Sequence, residues 1–253
     1  MVRFTPELRR LDWLVARPIA HRGLHDKAKG VLENTGAAFA AAIAQDYAIE
    51  CDLQLSGDGE AMVFHDDTLD RLTDATGPVS AKSVRELKKI AFNNSDSRMQ
   101  TLGEMLDQVA GRATLVIEIK SYWNGDDGLS DRAISVLESY DGPYALMSFD
   151  PDIVAHVRER SPHTVRGIVA DRATDAYYAH LPLERRLELR TLSHAGRTRP
   201  HFVSFCAAEL PFPPIGRLRA AGLPVITWTI RTPGEAQHAR RYSDQITFEG
   251  FAA

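Results

Sequence analysis

Residues 48–65 read AIECDLQLSGDGEAMVFH, and the spacing of charge within them sets the expected fold. Two short apolar runs, Ala48–Leu55 and Ala61–His65, predict strands. Only Ser56–Glu60 separates them, whereas a parallel crossover needs about a dozen residues. The pair is therefore expected to form a hairpin turning on Gly57-Asp58-Gly59. A turn centred near Gly57-Asp58 sets Glu50 roughly opposite His65. Strand side chains alternate between faces, so Glu50 and Asp52 share one face and Cys51 takes the other. The same period in residues 114–120, TLVIEIK, puts Glu118 and Lys120 on one face and Ile117 and Ile119 opposite.

Outward from this stretch, short apolar runs alternate with longer amphipathic ones. Further strands are expected at Arg17–His21, Thr114–Ile119, Tyr144–Phe149, Thr164–Val169, Phe202–Phe205 and Val225–Thr229, which brings the total to eight. Helices are expected between most of them, at Thr35–Gln45, Ser83–Ile90, Leu102–Val109, Ser130–Tyr140, Pro151–Arg160, Leu183–Leu192, Pro214–Ala221 and Pro233–Tyr242. Asp150-Pro151 and Thr232-Pro233 are helix starts, with proline where its missing N–H costs nothing. Alternating strands and helices make an α/β protein with a mostly parallel sheet. The 253 residues suit one barrel of about 250 residues or two smaller domains. No linker-like stretch interrupts them, so a single TIM (β/α)8 barrel domain over residues 1–253 is expected.

Composition narrows the function classes. Thirty basic residues against 34 acidic give a net charge of −4, with no basic stripe, which argues against a nucleic-acid partner. Arg185, Arg186 and Arg190 are interleaved with Glu184 and Glu188, as on a solvated helix face. No apolar run approaches the roughly 18 residues of a membrane span, so no integral membrane association is expected. The start of the chain is broken by Pro6, Glu7, Arg9, Arg10 and Asp12 and lacks the apolar core of a signal peptide, which reads as a cytoplasmic protein. Cys51 and Cys206 are read as two free, buried thiols.

Four clusters of polar residues interrupt apolar strands or sit at their C-terminal ends, where α/β barrels build their sites. They are His21 and Arg22, then Glu50 and Asp52, then His65 and Asp66, then Glu118 and Lys120. Buried charges are costly unless paired or metal-bound, so Glu50, Asp52 and Glu118 converging at a barrel mouth call for a cation. Oxygen-only ligands select a hard divalent ion, Mg²⁺ or Ca²⁺. His21 and His65 fit a general acid and base because their ordinary pKa lies near neutrality. Arg22 and Lys120 supply positive charge for a phosphate. Asn34 could ligate the metal, orient a catalytic group or cap the helix that begins near Thr35, and capping and function are compatible. His25, His156, His163, His180, His194, His201 and His238 are read as structural hydrogen-bonding residues.

The motifs in chain order are AHRG at 20–23, ENT at 33–35, ECD at 50–52, GDG at 57–59, MVFHDDTLDRLTD at 62–74, TL and EML at 101–106, and LVIEIK at 115–120. Together they resemble the glycerophosphodiester phosphodiesterase family over nearly half the chain. The resemblance implies a TIM-type barrel with a small, partly helical insertion after the third strand, at about residues 66–100. It implies a metal held by Glu50, Asp52 and Glu118, His21 and His65 as acid and base, and Arg22 and Lys120 at the phosphate. Trp228 matches a position near the substrate, or belongs to the barrel core. Departures from the family pattern are Met99-Gln100 before Thr101, Ser121–Gly125 after Lys120, and the ending Tyr242–Gly250. The implied activity is metal-dependent hydrolysis of a small-molecule glycerophosphodiester to sn-glycerol 3-phosphate and an alcohol. One rival is a lysophospholipase D or sphingomyelinase D-like enzyme, which needs an apolar entrance; Tyr122, Trp123, Phe92 and Phe212 are candidate linings, although such aromatics more often belong to ordinary packing. The other is a non-catalytic barrel that binds headgroups. Oligomeric state has no signature in the sequence.

Overall fold

A computed structural model describes residues 10–174 and 176–253 of the chain. Pro6, Glu7 and Arg9, part of the expected leaderless start, lie outside the described residues. The strands are β1 (Ile19–Ala20), β2 (Ala48–Leu55), β3 (Ala61–Val63), β4 (Leu115–Ile119), β5 (Tyr144–Ser148), β6 (Arg166–Ala170), β7 (Phe202–Cys206), β8 (Val225–Ile230) and β9 (Gln245–Phe248). All except β3 pair parallel to their neighbours, in the order β1-β2-β4-β5-β6-β7-β8-β9, and β9 returns to β1. The result is a closed, eight-stranded TIM barrel.

The expected total of eight strands had the wrong membership. Ala61–Val63 pairs antiparallel with β2 and stands outside the ring, and β9 closes it. β9 escapes the sequence reading because it is only QITF, two of whose four residues are polar. All four are nevertheless buried, since a barrel strand has no solvent face. The hairpin register also differs by one residue from the rough pairing of Glu50 with His65: Leu53 faces Val63, and the Phe64 amide donates to the Asp52 carbonyl. That register sets His65 beyond Cys51 rather than opposite Glu50.

Helices cover the outside of the ring, and their starts follow local chemistry. In α2 (Gly36–Ala44) the Thr35 side chain caps a run of good helix formers. Thr101 and Glu104 form a reciprocal capping box on α4 (Leu102–Val109). Asp150 and Pro151 start the helix Pro151–Arg160, and Thr232 caps the helix Pro233–Ala239. Two layers of core result. Cys51, Leu53, Ile117 and Ile119 pack outward against Phe39, Leu102, Met105 and Leu129. Val116, Ala145, Met147, Val169, Phe202 and Ile226 fill the interior of the ring. A one-turn helix, α1 (Asp12–Val15), brings Leu11 and Leu14 into this interior cluster. It is tied to the starts of strands: the Thr114 hydroxyl donates to Trp13 O at 3.4 Å and Gln245 Nε2 to Val15 O at 2.8 Å.

The segment after β3 contains α3 (Val84–Leu87) and makes a satellite core of Leu69, Val79, Leu87, Phe92 and Met99 with Leu32, Met62 and Phe64. Cys51 and Cys206 are both free, but only Cys51 is buried; Cys206 is half-buried. No helix among the described residues is long and apolar enough to cross a membrane.

Gly167 in β6 shows how closely the interior is filled. A Cβ placed there would lie 2.3 Å from the Phe202 ring. Gly167→Ala is expected to destabilise the fold by about 1–3 kcal/mol through overpacking. In a Phe202→Leu background the same change should cost less, which denaturant midpoints of the four-member mutant cycle would measure. Equal costs in both backgrounds would mean that the ring contact is not the constraint.

Candidate active site

The parallel register of β2 and β4 pairs Asp52 with Glu118, and the period of two puts Glu50 on the same face. Glu50, Asp52 and Glu118 accordingly bring ligand oxygens within 4.8 Å of one another. They are almost wholly buried, at 2%, 1% and 7% exposure. Burial pushes the Glu50 carboxyl well above its ordinary pKa, and the Asp52 and Glu118 charges push it further. Burial also raises Glu118, against the opposing pull of Lys120. Asp52 is held below the ordinary range: burial opposes this, but Lys120, His65 and Arg22 outweigh it. An oxygen-only donor set that gains from added positive charge fits a hard divalent cation.

Lys120 and Arg22 reach this cluster as ion-pair partners. Lys120 Nζ lies 2.6 Å from Glu118 Oε1 and 2.8 Å from Asp52 Oδ1. Burial lowers the Lys120 ammonium's pKa, yet the two carboxylates raise it above its usual value. The Arg22 backbone amide donates to Glu50 Oε2 at 2.9 Å, and its guanidinium donates to Glu33 Oε1 at 2.6 Å. This needs a sharp turn after β1. Arg22 and Gly23 both have left-handed φ, 55° and 78°, and a Cβ on Gly23 would lie 2.8 Å from Ala38 Cβ.

Asn34 proves not to be the helix cap, a position held by Thr35. With φ at 54° it turns inward, where Nδ2 donates to Asp52 Oδ2 at 2.8 Å and Oδ1 accepts from the Asp52 amide at 3.3 Å. Arg71, from the segment after β3, donates to both Glu33 and Asp66.

Each histidine is held by a carboxylate. His21 Nδ1 is 2.6 Å from Glu249 Oε2, and His65 Nδ1 is 2.6 Å from Asp66 Oδ1. Glu249 is held well below the ordinary carboxylate range, chiefly by its hydrogen bond from His21, with the His25 imidazole at 3.6 Å adding to it. Asp66 is also held down: burial opposes this, and hydrogen bonds from His65 and Arg71 prevail. An ionised carboxylate only accepts, so Nδ1 is the donor in both pairs and Nε2 is left as the second site. Burial lowers the His21 pKa despite the Glu249 hydrogen bond, which favours the neutral ring.

Glu249 was not singled out in the sequence because its partner lies 228 residues away. The signal that finds it is β1–β9 pairing, since Ala20 faces Phe248 and the next residues are His21 and Glu249. His25, read as structural, comes within 3.6 Å of Glu249 Oε2.

His21, Arg22, Glu50, Asp52, His65 and Asp66, with Glu118 and Lys120, line one side of a cavity of about 560 Å³ at the C-terminal mouth of the barrel. Phe149, Tyr177, Tyr178 and Trp228 line the other, with Trp228 edge-on to Phe149 at 5.4 Å between ring centroids. Trp228 thus faces the cavity, and its indole N–H donates to Ser204 O. The expected apolar entrance differs. Phe92 is buried in the satellite core, Phe212 stacks on Phe205, and neither they nor Tyr122 and Trp123 line the cavity. The actual aromatics come from the ends of β5 and β8 and from the loop after β6, positions with no distinctive sequence spacing.

Residues 21–247 match the profile of the Glycerophosphoryl diester phosphodiesterase family. A glycerophosphodiester phosphodiesterase of Caldanaerobacter subterraneus subsp. tengcongensis is 34% identical over 60% of this chain and 65% of its own. Glycerophosphodiester phosphodiesterase 1 of Bos taurus is 27% identical over 74% of this chain. The chain thus spans 65% and 54% of the lengths of these two relatives. Among solved structures, an Oleispira antarctica phosphodiesterase in complex with the product sn-glycerol-3-phosphate superposes with a TM-score of 0.78. It is 22% identical, over 93% of this chain and 94% of that one. A Thermotoga maritima glycerophosphodiester phosphodiesterase gives a TM-score of 0.70 at 25% identity, over 91% and 92% of the two chains.

Glu33 offers a test of this charge network. Burial opposes its ionisation, yet Arg71 and Arg22 lower its pKa from 4.5 to about 2. A depressed pKa contributes stability above the unfolded value, lost as pH falls through the folded one. Glu33→Gln should therefore be less stable than the parent at neutral pH, by on the order of 2 kcal/mol. The gap should close between about pH 4.5 and pH 2, as read from urea midpoints across that range.

Proposed function

The chain belongs to the glycerophosphoryl diester phosphodiesterase family, and on that premise we propose that it hydrolyses glycerophosphodiesters to sn-glycerol 3-phosphate and an alcohol. The observation that carries the reading is one cavity shared by three buried carboxylates and two carboxylate-held histidines. Binding alone needs no acid and base pair, which argues against a purely headgroup-binding barrel. Glu50, Asp52 and Glu118 would hold a divalent cation, Mg²⁺ or Ca²⁺. Such an ion supplies Lewis-acid polarisation of the phosphoryl oxygens when bound.

The protein's own groups divide the remaining work. His21, kept neutral by burial and oriented by Glu249, suits the base. Its Nε2 accepts the proton of the nucleophile, either water or the substrate's own glycerol hydroxyl. His65, oriented by Asp66, gives a proton to the departing alkoxide. Arg22 and Lys120 offset charge on the phosphate, and Arg22 is preorganised by Glu33 and Glu50. Asn34 holds Asp52 in its orientation through two hydrogen bonds. Phe149, Tyr177 and Trp228 face the alcohol portion and exclude water from it.

Release of glycerol 3-phosphate from a panel of glycerophosphodiesters, with and without chelator, tests the reading. Turnover should need the divalent ion. His21→Ala and His65→Ala should each lose about 10²–10⁴-fold in kcat with unchanged circular dichroism. Near-normal activity in both variants would overturn the mechanism. Cleavage confined to amphiphilic diesters would favour the lysophospholipase D reading.

A further inference from the structure

Beside the carboxylate cluster lies a second group with metal-ligand spacing and different chemistry. His21, His25 and Glu249 each bring one ligand atom within 4.8 Å of the others. The turn through Arg22 and Gly23 folds the chain back after β1, so that two histidines four residues apart both reach the end of β9. Arg231 Nε lies 2.8 Å from Glu249 Oε1 and orients the carboxylate. The other oxygen, Oε2, is turned to the two imidazoles, at 2.6 Å from His21 Nδ1 and 3.6 Å from His25 Nε2. His25 Nε2 is buried without a hydrogen-bond partner among the described residues, since 3.6 Å is beyond hydrogen-bond range. A buried ring nitrogen that stops short of its acceptor is costly unless something lies between them.

We propose that His21, His25 and Glu249 form a second, nitrogen-rich metal site for a borderline transition ion such as Zn²⁺, distinct from the oxygen-only site of Glu50, Asp52 and Glu118. Two imidazoles and a carboxylate are a known zinc donor set, and softer nitrogen ligands discriminate against Mg²⁺ and Ca²⁺. Bonds of about 2.0–2.1 Å in tetrahedral geometry set ligand atoms about 3.3 Å apart. The observed 2.6 and 3.6 Å bracket that value, so small side-chain rotations suffice. Ion binding displaces the proton that His21 Nδ1 shares with Glu249, and that proton goes to solvent. With Nδ1 bound to the ion, His21 loses the carboxylate contact that orients it and raises its basicity. Zn²⁺ then inhibits the enzyme from beside the reaction centre. This consequence for turnover rests on the role proposed for His21; binding at the site does not.

The test is calorimetric titration of the full chain with Zn²⁺ in excess Mg²⁺, with Co²⁺ absorption as a second readout of nitrogen ligation. The parent should bind one equivalent and release protons. His25→Ala should bind Zn²⁺ at least about tenfold more weakly and lose the Co²⁺ bands. It should keep its turnover in Mg²⁺ while tolerating more Zn²⁺. Glu50→Gln should retain Zn²⁺ binding whatever its activity. Circular dichroism checks folding, and His25→Gln, which keeps the side-chain bulk, replaces the alanine variant if that one is misfolded. Equal Zn²⁺ affinity in parent and His25 variants would overturn the proposal. So would absence of binding in the parent, or binding lost in Glu50→Gln and kept in His25→Ala.

Discussion

Three carboxylates held side by side on β2 and β4 repel one another, and most of the polar structure around them answers that repulsion. The response is a chain of alternating charge rather than a set of separate pairs. It runs from Glu118 through Lys120 to Asp52, on through Arg22 to Glu33, and through Arg71 to Asp66 and His65. One such pair at a protein surface contributes little, but this network is largely sheltered from solvent and its members orient one another. It also ties the segment after β3, through Arg71, to the loop after β1, so a structurally peripheral insertion takes part in positioning His65, through Asp66, and Arg22, through Glu33.

Closure of the ring is the second condition. His21 and Glu249 sit at opposite ends of the chain, and only the pairing of β1 with β9 makes them neighbours. The same pairing draws His25 onto Glu249, and the pairing of β8 with β9 brings Arg231 there. One end of the site therefore depends on local sequence, through the β2–β3 hairpin, and the other on a contact that forms only when the barrel is complete.

That division explains what could be read in advance. Glu50, Asp52, Glu118 and Lys120 were legible because a period of two is a local property, and a charge on an otherwise apolar strand stands out against it. His65 was legible because five residues cannot make a parallel crossover, although the one-residue difference in register was not. Glu249 was illegible for lack of any local pattern, and β9 because strand burial on both faces permits the unremarkable QITF. Asn34 was left open between capping and a role in the site. Its left-handed backbone, which turns the side chain inward, decided it and left the cap to Thr35. Phe92 and Phe212 take the packing role that such aromatics usually have, whereas Phe149 and Tyr177 at the cavity carry no local pattern that sets them apart.

Leu11 and Leu14 are inserted among the interior side chains where the strands begin. Below the cavity the ring is packed with Val116, Ala145, Phe202 and Ile226, so the barrel is a cup and not a tube. Traffic through it is one-way in space. Whatever enters past Tyr177 and Trp228 has to leave past them again, and under the proposed hydrolysis that holds for both fragments. The order in which two products depart is then a matter of which one lies nearer the rim.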